Sequence, residues 1–171
     1  MKKLLIAIAL LLLIIPFINY EIEESKAPQL NLSSYEDLNK EEQRQIDCLA
    51  LNIYREAGHE PEDGKVAVAL VTMNRVKAPG FPDSVCKVVQ QKTKNTCQFS
   101  WKCITHLPRI DQELYKYTRE IATHVFLNHH MLDDITLGAL FYHADYVRPR
   151  WKKLEVTTKI GRHIFYKPLE I

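Results

Sequence analysis

The stretch from Ile46 to Val76 constrains the fold more than any other part of the chain. IDCLALNIYREAGHEPEDGKVAVALVTMNRV reads as an amphipathic helix, a tight polar turn and a second apolar helix. Ile46, Leu49, Ala50, Ile53, Tyr54 and Ala57 recur at helical spacing and so share one buried face. Gly58 follows the last periodic residue, a common way for a helix to end. The polar run from His59 to Gly64 turns the chain, and Pro61 is well placed to open the next helix. Val66, Ala69, Leu70 and Met73 form the second stripe, which Val76 closes. Glu56 falls one residue before the end of the first stripe. That position puts a carboxylate at the rim of whatever the two helices enclose, neither on the open surface nor deep in the core.

The flanking segments divide by composition. Asn39 before Lys40-Glu41-Glu42 has the form of an N-cap with its capping-box Glu, so the domain is expected to run over 39–171. Residues 19–38 are polar and acidic and read as a linker. A loop over 77–83 leads to a short helix capped by Asp83 or Ser84 and ending near Gln91, with Val85, Val88 and Val89 inward. A third long helix spans about Asp111 to Asn128, with Leu114, Tyr117, Ile121 and Val125 on one face. Residues 156–159 and 163–166 flank Ile160-Gly161-Arg162 as a β-hairpin. The predicted class is α+β, mostly α: a helical body with a small C-terminal sheet.

Residues 1–18 stand apart. Lys2 and Lys3 precede an unbroken apolar run, the form of an export signal. Leu4 to Ile18 is short for a span of about 20 residues. No small-x-small cleavage site follows, so the segment reads as a signal peptide or as an anchor to the membrane. The expected location is outside the cytosol, in the periplasm or cell envelope. Cys48, Cys86, Cys97 and Cys103 agree with export, being an even set. Four cysteines allow three pairings. The short Cys97–Cys103 loop favours that bridge, which leaves Cys48 with Cys86.

Charge narrows the partners. The 171 residues carry 23 Lys and Arg against 21 Asp and Glu, a net of +2. From Lys40 onward the balance is 20 against 16, a net of +4. This mildly basic domain suits an anionic polymer or surface, and falls short of a nucleic-acid-binding composition. A monomer is expected.

Glu56 leads the candidates for chemistry. Partial desolvation raises a carboxyl pKa, so the group stays protonated near neutral pH and serves as a general acid. That is what protonation of a glycosidic oxygen requires. The structural alternative is a helix-end Glu paired with Arg55 or a nearby Lys. Glu60, Glu62 and Asp63 are near in sequence, but nothing in the sequence aims them at Glu56, so a mechanism with one carboxylate stays open. Gln98, Phe99 and Trp101, held between two cysteines, have the make-up of a sugar-binding wall or of a pinned loop covering the core. HExxH, HxH and GxSxG patterns and a Gly-rich phosphate loop are all absent from the sequence. Neither a metal nor another cofactor is expected.

A set of ordered pieces adds to this. They are 50–57 (ALNIYREA), 64–69 (GKVAVA), 73–76 (MNRV), 81–89 (FPDSVCKVV) with Gln91, and 97–101 (CQFSW) with Cys103. Then follow 138–143 (GALFYH), Trp151 and 160–166 (IGRHIFY). From about Asp47 to Lys167 the chain resembles the cell wall hydrolase family typified by the spore cortex-lytic enzymes. The resemblance implies a lysozyme-like, mostly helical fold with a small sheet, and action on peptidoglycan glycan strands. It implies that Glu56 is the catalytic glutamate and that Gln91, Gln98, Tyr142 and His143 line the groove. The family more often shows Glu-Ala-Arg-Gly-Glu around the acid, where this chain has Arg55-Glu56-Ala57-Gly58-His59-Glu60. The expected activity is that of a lytic transglycosylase cutting the MurNAc–GlcNAc bond, with Glu56 as acid and then base. A hydrolytic muramidase or glucosaminidase, and a non-catalytic murein-binding envelope protein, are the alternatives. A role in phage lysis, wall remodelling or germination is left open by the sequence.

Overall fold

The computed structural model of the protein describes residues 29–92 and 96–169. The apolar run read as a signal or anchor lies outside them. Among the described residues, four α-helices and one three-stranded sheet make up the fold, in the order α1 (Lys40–Ala57), α2 (Glu62–Lys77), α3 (Val85–Gln90), α4 (Gln112–Asn128), β1 (Phe141–Ala144), β2 (Leu154–Ile160) and β3 (His163–Pro168). This is the α+β, mostly helical architecture that the sequence pattern predicts.

α1 begins as its capping box requires. Asn39 accepts from the backbone N–H of Glu41 and Glu42, and the Glu42 carboxylate accepts from the Asn39 N–H, each at 3.0 Å. Its end comes at Gly58, as the sequence pattern predicts. Gly58 is right-handed, at φ −54°. A glycine stands there because a Cβ would come within 2.5 Å of the Tyr54 carbonyl oxygen. Pro61 takes the N-cap position of α2 rather than its first turn.

α2 is the centre of the molecule. The stripe read from the sequence covers only one side of it. Val66 and Val76 are half-buried, whereas Ala67, Val68 and Val71 are fully buried. On one side Leu70 and Met73 join Ile46, Leu49 and Ile53 of α1, Val85 and Val88 of α3, and Ile121 and Val125 of α4. On the other, Ala67 and Val71 meet Ala139 and Phe165 under the sheet. A helix sandwiched between helices and a sheet is buried all round and has no one-sided pattern. On α4 the buried face includes Thr118 and Ala122, and Tyr117 turns outward to donate its hydroxyl to Glu62.

The sheet is antiparallel, with β3 central. Tyr142 opposes Phe165, and His143 opposes Ile164. Because facing residues share a side and successive residues alternate, Tyr142, Phe165 and His163 point inward, toward α2. His143, Ile164, Tyr166 and Val156 point outward. The β2–β3 turn carries Gly161 at φ +56°. Both expected disulfides are formed, Cys48–Cys86 and Cys97–Cys103. The first ties α1 to α3, and the second closes the loop that follows α3.

Residues 31–38, which by composition read as the end of a linker, lie against the helical body. Asn31 N–H donates to Asn128 Oδ1 at 2.6 Å, and Asn128 Nδ2 donates back to the Asn31 carbonyl at 3.0 Å. The Tyr35 hydroxyl donates to Asp47 at 2.9 Å, and the Arg119 guanidinium covers the Tyr35 ring at 4.5 Å. Polar side chains that look like linker composition make these specific bonds across α1 and α4.

Candidate active site

α1 delivers Glu56 to the mouth of a cleft of about 280 Å³, lined also by Tyr54, Arg55, Gly58, His59, Glu60, Pro108 and Leu114. Glu56 lies in the last turn of its helix, where the partial negative charge of the helix end opposes ionisation. Burial raises its carboxyl above the ordinary range. The Tyr142 hydroxyl, which donates to Glu56 Oε2 at 3.3 Å, and the charge of Arg75 pull it back part of the way. Arg55 pairs with no carboxylate among the described residues. Its Nη2 donates to the Pro108 carbonyl at 3.2 Å, and its guanidinium lies 5.2 Å from the Tyr54 ring centre. The helix-end ion pair that would have made Glu56 a structural residue is therefore not formed with Arg55.

Arg75 is the unexpected member. It comes from the last turn of α2 and is only 2% exposed. Its Nε donates to the Leu140 carbonyl at 2.7 Å. The Gln98 amide, turned so that its oxygen faces the guanidinium, accepts from Nη2 and Nη1 at 3.0 and 3.3 Å. The rings of Phe99, Phe81 and Phe141 surround the cation at 5.1, 5.6 and 5.9 Å. Burial lowers the Arg75 pKa, and the Tyr142 and Glu56 charges oppose that. Arg75 thus supplies a fixed positive charge behind the acid, with no ion-paired carboxylate of its own among the described residues. One signal marks it in the sequence: a single arginine within the apolar run VALVTMNRV.

His163 completes the inner face of the sheet. Its ring stands edge-on to Tyr142 at 5.1 Å, and its Nδ1 is buried without a partner. Burial lowers its pKa and so favours the neutral ring, against the pull of the Glu60 and Asp145 charges. Below it, Glu60 Oε2 accepts from the Arg162 N–H at 2.9 Å and fixes the hairpin turn against the α1–α2 corner. A side chain at Gly161 would collide with that carboxylate, its Cβ falling 2.1 Å from Oε2. Deeper in, Trp101 Nε1 donates to Asn52 Oδ1 at 3.2 Å, and Asn52 Nδ2 donates to Thr72 Oγ1 at 3.3 Å. This chain stiffens the two helices that carry Glu56 and Arg75.

The expected site residues separate into groups. Glu56 and Tyr142 are in contact, and Gln98 reaches them through Arg75. Gln91 lies beside Gln98, whose N–H donates to the Gln91 carbonyl at 3.0 Å; the Gln91 Oε1 is buried without a partner. Phe99 is 3% exposed and packs on Arg75, so it has no face to offer a sugar; it and Trp101 belong to the core. His143 points to the opposite face of the sheet from Tyr142. There it bonds the Tyr166 hydroxyl through Nε2 at 2.8 Å. In a larger hollow of about 450 Å³ between residues 31–36 and α4, the two acids of the lining, Glu36 and Glu120, are both exposed. Among the described residues no group of three His, Cys, Asp or Glu could hold a metal ion.

The profile described as Cell Wall Hydrolase matches residues 59–166. The chain belongs to the cell wall hydrolase family. The spore cortex-lytic enzyme of Bacillus cereus is 31% identical over 147 residues, covering 85% of this chain and 52% of that protein. The Bacillus subtilis enzyme of the same name is 32% identical over 122 residues, covering 70% of this chain and 36% of its own. The chain thus spans about half the length of the former and less of the latter. Among solved structures, the catalytic domain of Bacillus cereus SleB is similar at 30% identity and a TM-score of 0.53, covering 73% of this chain and 91% of that one. The catalytic domain of the germination-specific lytic transglycosylase SleB from Bacillus anthracis gives 30% and 0.51, covering 73% and 95%. The profile match begins three residues after Glu56, so the case for that residue stands on its geometry.

Proposed function

We propose that this protein is an exported peptidoglycan-cleaving glycosidase, and that it works as a lytic transglycosylase. The observation that carries the reading is Glu56: a desolvated carboxyl at the mouth of a cleft, with a hydroxyl donor on one oxygen and a buried cation behind it. As an acid, Glu56 donates its proton to the glycosidic oxygen between MurNAc C1 and the next GlcNAc, and the C1–O bond breaks. The carboxylate left behind is stabilised by Tyr142 and Arg75. It then takes the proton from the MurNAc 6-hydroxyl as that oxygen bonds to C1. Glu56 returns to the acid form and no water is consumed, so one carboxylate suffices. The cell wall hydrolase membership and the similarity to a lytic transglycosylase support the substrate class. Gln91 and Gln98 are proposed to contact the glycan beside Tyr142. Residues 1–18 are proposed to direct export or to anchor the enzyme at the membrane.

Glu60 lines the same cleft, and that observation favours a hydrolytic muramidase as the second reading. The products decide between the two. Wild-type protein should release fragments ending in 1,6-anhydro-MurNAc, lighter by one water than hydrolytic ends on a mass spectrum. Reducing ends would replace the transglycosylase with the muramidase. Glu56→Gln keeps the side-chain shape but cannot donate the proton, so cleavage should fall by about 10²–10⁴-fold. Full activity in a folded Glu56→Gln protein would remove Glu56 as the acid in both readings, and wild-type protein that cleaves no glycan would leave murein binding alone.

A further inference from the structure

The outer face of the sheet carries a second site with chemistry of its own. Positive charge is concentrated there. Residues 141–169 hold seven Lys and Arg against two acids, a net of +5, while the rest of the chain holds sixteen against nineteen, a net of −3. Both acids are already paired, Asp145 with Lys159 at 3.1 Å and Glu155 with Lys167 at 3.2 Å. Arg148, Arg150, Lys152 and Lys153 are exposed, and among the described residues none of their side chains has a hydrogen bond or ion pair.

These four cations lie on a strap, residues 145–153, that is held in place. At its start the Asp145 N–H donates to the Arg162 carbonyl at 2.8 Å. At its end the Lys153 carbonyl accepts from the Leu169 N–H at 3.1 Å, with Lys153 at φ +60°. In the middle the Trp151 ring meets His143 and Tyr166, each at 5.6 Å. Trp151 is nevertheless 44% exposed, and Tyr146 is 74% exposed. Between strap and sheet lies a cleft of about 380 Å³, walled by His143, Trp151, Tyr166 and Ile164, with Arg148 in its lining. It shares no lining residue with the Glu56 cleft.

We infer that this strap and cleft bind the acidic peptide stems of peptidoglycan, holding the glycan strand while Glu56 cuts it. The inference rests on the peptidoglycan reading above. Unpaired guanidinium and ammonium groups match the stem carboxylates, which outnumber the free amines of a stem. A concave pocket with aromatic walls suits a peptide or sugar segment, whereas a flat bilayer surface would leave it unfilled. Because the cations are exposed, the attraction weakens as salt rises above about 0.1 M, where the Debye length is about 10 Å.

The test uses full-length Glu56→Gln protein, so that binding is read without cleavage. Its retention on intact sacculi is compared with retention on glycan strands stripped of stems by an amidase. Binding to stem-bearing material should be about tenfold tighter at low salt, and the difference should shrink at high salt. Replacing Arg148, Arg150, Lys152 and Lys153 together by Gln should erase that difference, with thermal unfolding unchanged as the check on folding. Arg148→Lys with Arg150→Lys should keep most of it. Equal binding to both materials, or a preference that survives the fourfold Gln substitution, overturns the proposal. So does binding to anionic phosphatidylglycerol vesicles that matches binding to sacculi and is lost in the fourfold Gln protein, which keeps residues 1–18. Failure of the glycosidase reading shows separately, as wild-type protein that releases no fragments from intact, stem-bearing sacculi.

Discussion

Tyr142→Phe isolates the contact that tunes the acid. The substitution removes one hydroxyl and leaves the ring where it packs on Phe165 and His163. A hydrogen bond to a charged group contributes about 1.5–3 kcal/mol. At 3.3 Å the Tyr142–Glu56 bond is long, so the low end applies. About 1.4 kcal/mol corresponds to about one pKa unit. The bond favours the carboxylate, so losing it raises the Glu56 pKa further. Glu56 must be protonated to act, and the alkaline limb of kcat/KM against pH reports its pKa in the free enzyme. That limb should move up by about one pH unit.

Stability follows the same sign. The folded-state pKa of Glu56 lies above its unfolded value. Its contribution to stability is therefore fully present below the unfolded pKa and is lost as pH rises through the folded pKa. In Tyr142→Phe the unfolding free energy should match wild type at low pH and fall about 1.4 kcal/mol below it at high pH. Urea titrations across pH measure this directly. An alkaline limb that stays put, or moves down, would refute the assignment of that limb to Glu56.

Glu60→Gln keeps an acceptor for the Arg162 N–H and should retain most activity, whereas Glu60→Ala orphans that N–H and should cost about 1 kcal/mol in urea unfolding. Arg75→Lys keeps the charge but lacks the planar fork that bonds the Leu140 carbonyl and Gln98 together, and should destabilise by about 2 kcal/mol in urea unfolding. A chain beginning at residue 39 should fold but be about 2 kcal/mol less stable than one beginning at residue 29, because it loses the Asn31–Asn128 and Tyr35–Asp47 bonds. Equal melting curves for the two chains would remove any role for that segment in the fold.

Local patterns made much of this protein readable from its sequence. The capping box at Asn39, the periodic face of α1, the short helix inside 83–91 and the β2–β3 hairpin all rest on bonds between near neighbours. The position of Glu56 at a helix rim follows from the same periodicity, because one face of α1 ends there. The alternation of a strand also separates Tyr142 from His143, so that their divergence was present in the sequence once β1 was placed. What surrounds Glu56 was decided elsewhere. Tyr142 reaches it across 86 residues, and Arg75 takes its partner from Leu140, 65 residues away. The apolar run marks Arg75 as unusual, but nothing local gives its partners or shows that Phe99 closes on a cation instead of a sugar. Those assignments come from packing the sheet onto the far side of α2, which buries the helix all round and brings the residues that tune the acid together.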